Sequence, residues 1–137
     1  MQINPYLNFN GQCEAAFQFY ERVLGGKITF KMTHGESPMA ASVGPDWQGK
    51  VMHATLAIGD RMLQGSDAPP SFYSKPGGFS LSIGTKDPAE AEKIFNALAE
   101  NGTVKMPLQK TFWAERFGML TDQFDIPWMI NCETGTP

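Results

Sequence analysis

The sequence has few cysteines, no cluster of basic residues and no long apolar run. Cys13 and Cys132 are its only cysteines, and their separation matches no metal-binding spacing, so we expect two buried thiols, with a reactive thiol as the alternative. A net charge of -3 without a run of Lys or Arg argues against nucleic-acid binding, which depends on clustered basic charge. No stretch approaches the ~20 apolar residues that span a bilayer. The first residues also lack a basic flank followed by an apolar run. We therefore expect a cytoplasmic protein with no nucleic-acid or membrane partner.

What is present is the composition of an ordinary soluble globular protein. Hydrophobic residues make up 42% of the chain and charged residues 18%. A chain of 137 residues forms one domain or two very small modules, and it is long enough to bury a real core.

The first half of the chain predicts a strand, a helix and then three strands. The helix is indicated by an apolar stripe at positions 16, 19, 20 and 23, and Gly25-Gly26 supply its left-handed end. The last two strands form a hairpin that turns at Gly59-Asp60, a pair suited to a type II′ turn. The predicted elements are Ile3–Asn10, Glu14–Leu24, Lys27–Met32, Val51–Ile58 and Arg61–Gln64.

The second half repeats this order. Asp87 is the predicted N-cap of its helix, Pro88 suits the first helical position, and Glu90 stands where a capping box places its carboxylate. The apolar stripe of this helix repeats that of the first helix 75 residues later. The predicted strands are Phe79–Ile83, Thr103–Met106, Glu115–Thr121 and Trp128–Cys132. The matching order of five elements indicates a duplicated unit.

This duplication predicts an α+β fold of two βαβββ modules that form a curved mixed sheet around a cleft. A four-stranded sheet with one helix buries only the face under the helix, so the other faces of two such units are expected to line a shared cleft. We expect residues 1–66 to form the first module, 67–77 a linker and 78–137 the second module, together one structural domain. The Gly- and Pro-rich stretch His34–Lys50 is expected to be a loop over the cavity mouth.

Three segments carry a resemblance to a known family: PYLNFNGQCEAAFQFYERVLGG, VMHATLAIGD and FWAERFGMLTDQFDIPWMIN. Together with the paired βαβββ pattern they resemble the PhnB-like family, often labelled 3-demethylubiquinone-9 3-methyltransferase, of the vicinal oxygen chelate superfamily. The resemblance implies the glyoxalase/bleomycin resistance fold, a small-molecule ligand and a homodimer. No glycine-rich turn suited to an adenosine cofactor follows any predicted strand, so we expect no cofactor.

The resemblance also bears on metal binding, because enzymes of the superfamily usually hold a divalent ion with His, Glu or Gln side chains. The corresponding positions here fall on Pro5 or Tyr6, on Gly78 or Phe79, and on or beside Met129. Only His53 lies near such a position with a competent side chain, Glu115 is a possible second ligand, and His34 a third only if its loop folds inward. A catalytic metal generally needs about three protein ligands, so we expect no metal.

Strand alternation selects the residues expected to face the cleft. On the third strand, position 53 and Thr55 are opposite the more apolar face that should lie under a helix. His53 is the best candidate for a general acid or base, because an imidazole titrates near neutral pH; the alternative is an anchoring hydrogen bond. Glu115 is either a second catalytic group or half of a surface ion pair with Arg116. Ligand-binding positions are expected at Tyr6, Asn8, Thr55, Trp113, Met129 and Asn131.

Trp128 and Ile130 are expected in the core, and for Phe112 and Trp113 both a core position and a ring-binding floor stay open. Three functional hypotheses follow. The first is an enzyme using His53 in acid–base work, the second a non-catalytic protein that binds or sequesters a small organic molecule, and the third a metal-dependent lyase or dioxygenase. Whether the protein is an enzyme stays open at the level of sequence.

Overall fold

The computed structural model describes residues 1–133, and the chain divides into two compact units, Met1–Ser74 and a second that begins at Lys75. Each unit is α+β and contains one helix and one four-stranded sheet. The predicted order of strand, helix and three strands is confirmed in both halves. No helix among the described residues has the length and apolar character required to cross a membrane.

The first module is a mixed sheet with one helix packed on it. The strand order is β1-β4-β3-β2, in which β1 runs parallel to β4 and the other neighbours are antiparallel. Two short 3-10 turns, Ala40–Ser42 and Pro45–Trp47, lie between β2 and β3. The elements are β1 (Tyr6–Phe9), α1 (Cys13–Leu24), β2 (Lys27–Thr33), β3 (Val51–Ile58) and β4 (Arg61–Asp67).

The helix α1 is fixed by its apolar stripe and by contacts at both ends. Ala16, Phe19 and Tyr20 are buried, as an amphipathic helix requires. Gly25 ends the helix with a φ of 72°, a left-handed conformation that glycine adopts without a steric penalty. Its N-cap residue offers no side-chain hydrogen bond, and the carboxylate of Asp67, from the end of β4, accepts a bond from the backbone N–H of Cys13 instead.

The second module repeats this architecture. The strand order is β5-β8-β7-β6, with β5 parallel to β8 and the other neighbours antiparallel. The elements are β5 (Leu81–Thr85), α2 (Pro88–Ala99), β6 (Thr103–Gln109), β7 (Ala114–Thr121) and β8 (Pro127–Glu133).

The start of α2 differs from the expected capping box in one respect. Asp87 is the N-cap, and its carboxylate accepts a bond from the backbone N–H of Ala89 at 3.0 Å. The carboxylate of Glu90, however, accepts from the hydroxyl of Thr85 at 2.8 Å rather than from the N-cap backbone. The same hydroxyl accepts a hydrogen bond from the backbone N–H of Asp87. In a capping box the Glu90 carboxylate would accept that bond, so the Thr85 hydroxyl takes its place.

Pairing with the neighbouring strand explains the shifted strand boundaries. β5 begins at Leu81 rather than Phe79, because its partner β8 begins at Pro127 and Leu81 pairs with Trp128. β4 continues to Asp67 rather than ending at Gln64, because Asp67 pairs with Phe9 at the end of β1. The length of each of these two strands is thus set by the length of the strand with which it pairs.

Glycines mark where each helix packs closely on its sheet. A Cβ at Gly65 on β4 would lie 3.0 Å from the ring of Phe17 on α1, and one at Gly118 on β7 would lie 2.7 Å from the ring of Phe95 on α2. These contacts identify the helix-covered face of each sheet. The opposite faces are called here the first open face and the second open face.

Candidate functional site

The first open face is built from alternate residues of the four strands of the first module. Gln64 pairs with Tyr6 on β1 and with Thr55 on β3, and Thr55 pairs in turn with Phe30 on β2, so one row of side chains crosses the whole sheet. Because side chains alternate along a strand, this row is opposite the face on which Gly65 meets α1. The face comprises Tyr6, Asn8, Phe30, Met32, His53, Thr55, Gln64 and Ser66.

Within this face a histidine is in contact with two aromatic rings. The hydroxyl of Tyr6 lies 3.1 Å from Nδ1 of His53, and their rings are nearly stacked, with centroids 5.7 Å apart and planes at 25°. The ring of Phe30 lies on the neighbouring strand, 5.7 Å from His53 at 49°. Tyr6 and Phe30 are 45% and 46% exposed, so ring surface of both is open to a ligand.

The second nitrogen of His53 has no hydrogen-bond partner among the described residues. The ring is hydrogen-bonded at Nδ1, with the hydroxyl of Tyr6, and Nε2 makes no such bond to residues 1–133. The imidazole is half-buried. A polar atom of a ligand can therefore bind at Nε2 without displacing a protein contact.

The sequence did not predict the hydrogen bond between Tyr6 and His53, although it predicted that both side chains lie on the same face. β1 and β3 are not neighbours, because β4 lies between them. The bond requires the Tyr6 ring to reach diagonally over β4 from the position opposite Gln64. Predicting this hydrogen bond requires the strand order, and the periodicity of the sequence does not give the strand order.

The second open face has a different chemical character. Gly118 meets α2, so Phe117 and Met119 lie on the open side of β7, and they pair with Asn131 and Met129 of β8. In the register of the two modules, Phe117 occupies the position of His53 and Met119 that of Thr55. The face comprises Ser82, Gly84, Phe117, Met119, Met129 and Asn131. At these positions the face has three apolar side chains, one amide and one hydroxyl.

Asn131 carries an unsatisfied buried atom. Its Oδ1 is buried and has no hydrogen-bond partner among residues 1–133. The residue pairs with Gly84 on one side and Phe117 on the other, and a Cβ at Gly84 would meet nothing within 4 Å. A buried carbonyl oxygen without a hydrogen-bond partner lowers the stability of a fold. The packing around Asn131 gives no reason for an amide at this position.

Glu115 lies in a chain of ion pairs at the start of β7. Its carboxylate is 3.6 Å from Nη1 of Arg116, whose Nε lies 3.2 Å from the carboxylate of Glu92 on α2. Arg116 also donates to the backbone carbonyl of Glu115 at 2.8 Å. The ion-pair alternative is therefore present in the structure, and Glu115 is directed to Arg116.

Two aromatic side chains before β7 are exposed rather than part of the core. Phe112 is 95% exposed and Trp113 is 47% exposed. The indole packs edge-on against Phe112 at 4.7 Å and against Phe117 at 5.3 Å. Trp128 and Ile130, by contrast, are buried as predicted. The core alternative is thus wrong for Phe112 and Trp113, and their rings continue the second open face through Phe117.

His34 is part of a buried structural cluster. Its Nε2 lies 3.1 Å from the backbone carbonyl of Asp67, and its ring packs edge-on against Trp47. The carboxylate of Asp67, 2% exposed, accepts from the backbone N–H groups of Cys13 and Val51, both at 2.9 Å. These contacts hold the ends of β3, β4 and α1 together, so His34 anchors its loop.

Both cysteine thiols are free and buried. Burial raises the pKa of the Cys13 thiol far above its ordinary value, and the nearby carboxylate of Asp67 raises it further. Burial likewise raises the pKa of Cys132, with Glu115 as the next cause. Neither thiol is therefore a ready nucleophile at neutral pH.

The donor set does not fit a divalent metal. No group of three or more His, Cys, Asp and Glu residues in positions 1–133 could hold one. One His53 nitrogen faces Tyr6, and the Nε2 of His34 is engaged with a backbone carbonyl. Glu115 is paired with Arg116. We therefore derive no chemistry through a metal at these residues.

A cavity of about 490 Å³ in the second module contains none of the predicted site residues. It is lined by the segment from Lys75 to Phe79, by the turn after α2 and by the β7–β8 turn. Asp122 in this lining is engaged by the N–H groups of Phe124 and Ile126 and by the indole of Trp128. The carboxylate of Asp122 therefore stabilises the β7–β8 turn.

Comparison with known proteins places the chain among homologues of the same length. A family model described as 3-demethylubiquinone-9 3-methyltransferase matches residues 1–131. Protein YjdN of Escherichia coli (strain K12) is 37% identical over 141 residues, which cover 96% of this chain and 95% of YjdN.

Two solved structures are similar in both sequence and fold. Protein PA1353 from Pseudomonas aeruginosa is 48% identical with a TM-score of 0.89, covering 97% of this chain and 98% of that one. The PhnB protein from Bacillus cereus is 25% identical with a TM-score of 0.83, covering 96% and 99%. The fosfomycin resistance protein FosX from Listeria monocytogenes shares the fold alone, with 7% identity, a TM-score of 0.67 and coverage of 98% and 94%.

Proposed function

Because the chain belongs to the PhnB-like 3-demethylubiquinone-9 3-methyltransferase family of the vicinal oxygen chelate superfamily, we propose that it binds a small organic molecule on the first open face. In this proposal His53 and Tyr6 contact the ligand directly. Asn8 and Thr55 supply further polar contacts from the same face, and no metal takes part.

The observation that carries the proposal is the arrangement of Tyr6 and His53. Their 3.1 Å hydrogen bond fixes the imidazole, while Nε2 makes no hydrogen bond to any of the described residues. Two partly exposed aromatic rings flank it, Tyr6 and Phe30. Apolar walls with one or a few placed polar groups are the usual composition of a small-molecule site.

Acid–base catalysis by His53 is the first form of the proposal. An imidazole held in one orientation by a hydrogen bond to its other nitrogen is suited to exchange a proton with a bound molecule. Glu115, the second proposed catalytic group, lies in the second unit and is engaged in an ion pair with Arg116.

Binding without turnover is the second form. It is favoured by the positions of the carboxylates: Glu115 is paired with Arg116, and the first open face contains no Asp or Glu. On the second open face, Met129, Asn131 and the exposed ring of Trp113 offer apolar and amide contacts. A protein that only sequesters an organic molecule requires such binding contacts and no catalytic group.

A thermal-shift screen against a metabolite panel tests binding, because a ligand that binds only the folded state raises the melting temperature. Each hit is measured again with Tyr6→Phe and His53→Ala, and with Lys93→Ala, an exposed position on α2, as the control. We expect the shift to fall in the first two variants and to persist in the control. Hits that are insensitive to both site variants would place the ligand elsewhere.

His53→Ala also separates the two forms once a ligand is known. Loss of turnover at a ligand concentration that saturates the variant supports the enzyme. No conversion by either protein supports simple binding, and unchanged conversion would show that the reaction does not use His53.

We further propose that the protein is a cytoplasmic homodimer. The two free thiols suit a reducing compartment. Several apolar side chains on the strands are exposed, among them Val104 and Met106 on β6. Such side chains are suited to contact a second copy of the chain. Light scattering that gives the mass of a single chain at all concentrations would contradict the dimer.

A further inference from the structure

We propose that the Tyr6 hydroxyl donates its hydrogen bond to Nδ1 of His53, which holds the neutral imidazole in the Nε2–H form and selects a ligand with an accepting oxygen, a carbonyl or a carboxylate. The inference rests on the proposed function, because it concerns the same site.

The direction of the bond follows from the two groups. A phenol is a hydroxyl donor, and a neutral imidazole has one accepting nitrogen. The Tyr6 hydroxyl has no other hydrogen-bond partner among residues 1–133, so Nδ1 is the acceptor the protein provides for its proton. Donation by Tyr6 leaves Nδ1 unprotonated, and the ring proton is therefore on Nε2.

His34 provides an internal comparison. Its Nε2 lies 3.1 Å from the backbone carbonyl oxygen of Asp67, and a carbonyl only accepts. Its neutral form is therefore also Nε2–H. The two histidines of the chain thus carry the ring proton on the same nitrogen for opposite reasons: His34 donates from Nε2, whereas His53 accepts at Nδ1.

The ligand class follows from the free Nε2–H. An N–H without a protein partner on this face binds an acceptor, and the strongest common acceptors in small organic molecules are carbonyl and carboxylate oxygens. The Tyr6 and Phe30 rings on either side, at 25° and 49° to the imidazole, favour a planar group next to that oxygen. A conjugated or aromatic carbonyl compound satisfies both conditions.

The same arrangement defines how a proton would move. Nε2 already carries a proton, so the accepting nitrogen is Nδ1, and Nδ1 faces Tyr6. A ligand proton is therefore taken up by the Tyr6 oxygen while the phenol proton passes to Nδ1. The products are the ligand anion and an imidazolium, and the reverse transfer restores the starting state. Tyr6 is then the group that touches the reacting proton.

Two-bond ¹H–¹⁵N correlation spectra of the labelled protein test the hydrogen-bond direction without a ligand. The chain has two histidines, and a His53→Phe variant identifies the His53 signals. We expect the Nε2–H pattern for neutral His53, with the Nδ1 resonance shifted in Tyr6→Phe because the accepted bond is lost. His34 signals should not move. An Nδ1–H pattern, or an Nδ1 resonance unchanged in Tyr6→Phe, would overturn the inference.

The ligand class is tested with acetophenone and ethylbenzene, which differ in one carbonyl oxygen. We expect acetophenone to bind at least about fivefold more tightly, a difference of one ordinary hydrogen bond, and to shift the Nε2–H signal. The preference should disappear in His53→Phe. Equal binding of the two probes, or binding of neither, overturns the ligand class. If the metabolite screen yields only ligands insensitive to Tyr6 and His53, the proposed function fails, whereas the spectra alone decide the bond direction.

Discussion

At the residue scale, two buried aspartates and one buried amide oxygen differ in how their hydrogen-bonding capacity is satisfied. Asp67 and Asp122 each accept hydrogen bonds from two backbone N–H groups. Buried carboxylates satisfied in this way stabilise the ends of strands and helices. Asn131 has no partner for its Oδ1, and this contrast separates a structural group from a candidate for ligand contact.

Asp67→Asn should lower the free energy of unfolding by about 2–3 kcal/mol, because one of its two accepting oxygens becomes an N–H₂ that faces a backbone N–H. Urea unfolding monitored by fluorescence measures the change. Asp46→Asn, at an exposed position, is the control. An effect of Asp67→Asn no larger than that of the control would show that the cluster at α1, β3 and β4 does not depend on this carboxylate.

Asn131→Leu should raise the free energy of unfolding by about 1 kcal/mol, because it replaces an unsatisfied amide by an apolar group of similar size. The matched control is Asn96→Leu, where the amide is exposed on α2 and no gain is expected. Urea unfolding again supplies the comparison. A loss of stability in Asn131→Leu would mean that the amide makes a bond that matters for folding.

The buried thiols predict a dependence on alkaline pH. The pKa values of Cys13 and Cys132 are raised in the folded state, whereas in the unfolded chain both thiols ionise near the ordinary value of 9.0. Above that pH the unfolded state binds fewer protons, so the free energy of unfolding should fall by up to about 1.4 kcal/mol per pH unit for each thiol. Cys13→Ala should show a weaker fall, measured by urea unfolding from neutral pH to about pH 10. The same slope in both proteins would rule out Cys13 as a cause.

At the scale of elements, periodicity predicted the helices well because each carries an apolar stripe that its sheet buries. The stripe residues Ala16 and Tyr20 of α1 and Ala91 and Phe95 of α2 are all buried. Strand ends were predicted less well, because they depend on the partner strand, as at Leu81 and Asp67. The hydrogen bond between Thr85 and Glu90 at the start of α2 could not be predicted from the sequence either, because it depends on the conformation of the turn between β5 and α2.

Two glycines of the second module should distinguish its two faces. A Cβ at Gly118 would lie 2.7 Å from the Phe95 ring and 2.9 Å from the backbone of Leu108, whereas a Cβ at Gly84 would meet nothing within 4 Å. Gly118→Ala should therefore cost about 1–3 kcal/mol through overpacking, and Gly84→Ala should be nearly neutral. Thermal unfolding of both variants measures this. Similar stability for the two would mean that the helix is not packed on the Gly118 face.

At the scale of the whole molecule, duplication of one module produced two sheet faces with different chemistry. The first presents His53, Tyr6 and Thr55, and the second presents Phe117, Met119 and Asn131 at related positions. The sequence was enough to predict the repeat, the α+β class and the side of the sheet on which His53, Tyr6, Thr55 and Asn131 lie. It was not enough to predict the Tyr6–His53 bond or the engagement of Glu115 by Arg116, which arise from contacts between side chains rather than from periodicity.

The central claim is that the first open face binds a small organic molecule through His53 and Tyr6. Chemical-shift mapping of the tightest hit from the metabolite screen, on assigned ¹H–¹⁵N spectra, tests it most directly. We predict the largest changes at His53, Tyr6 and their neighbours on β1, β3 and β4. Largest changes instead at the residues around the 490 Å³ cavity, such as Lys75, Lys105 and Gln123, would contradict the account.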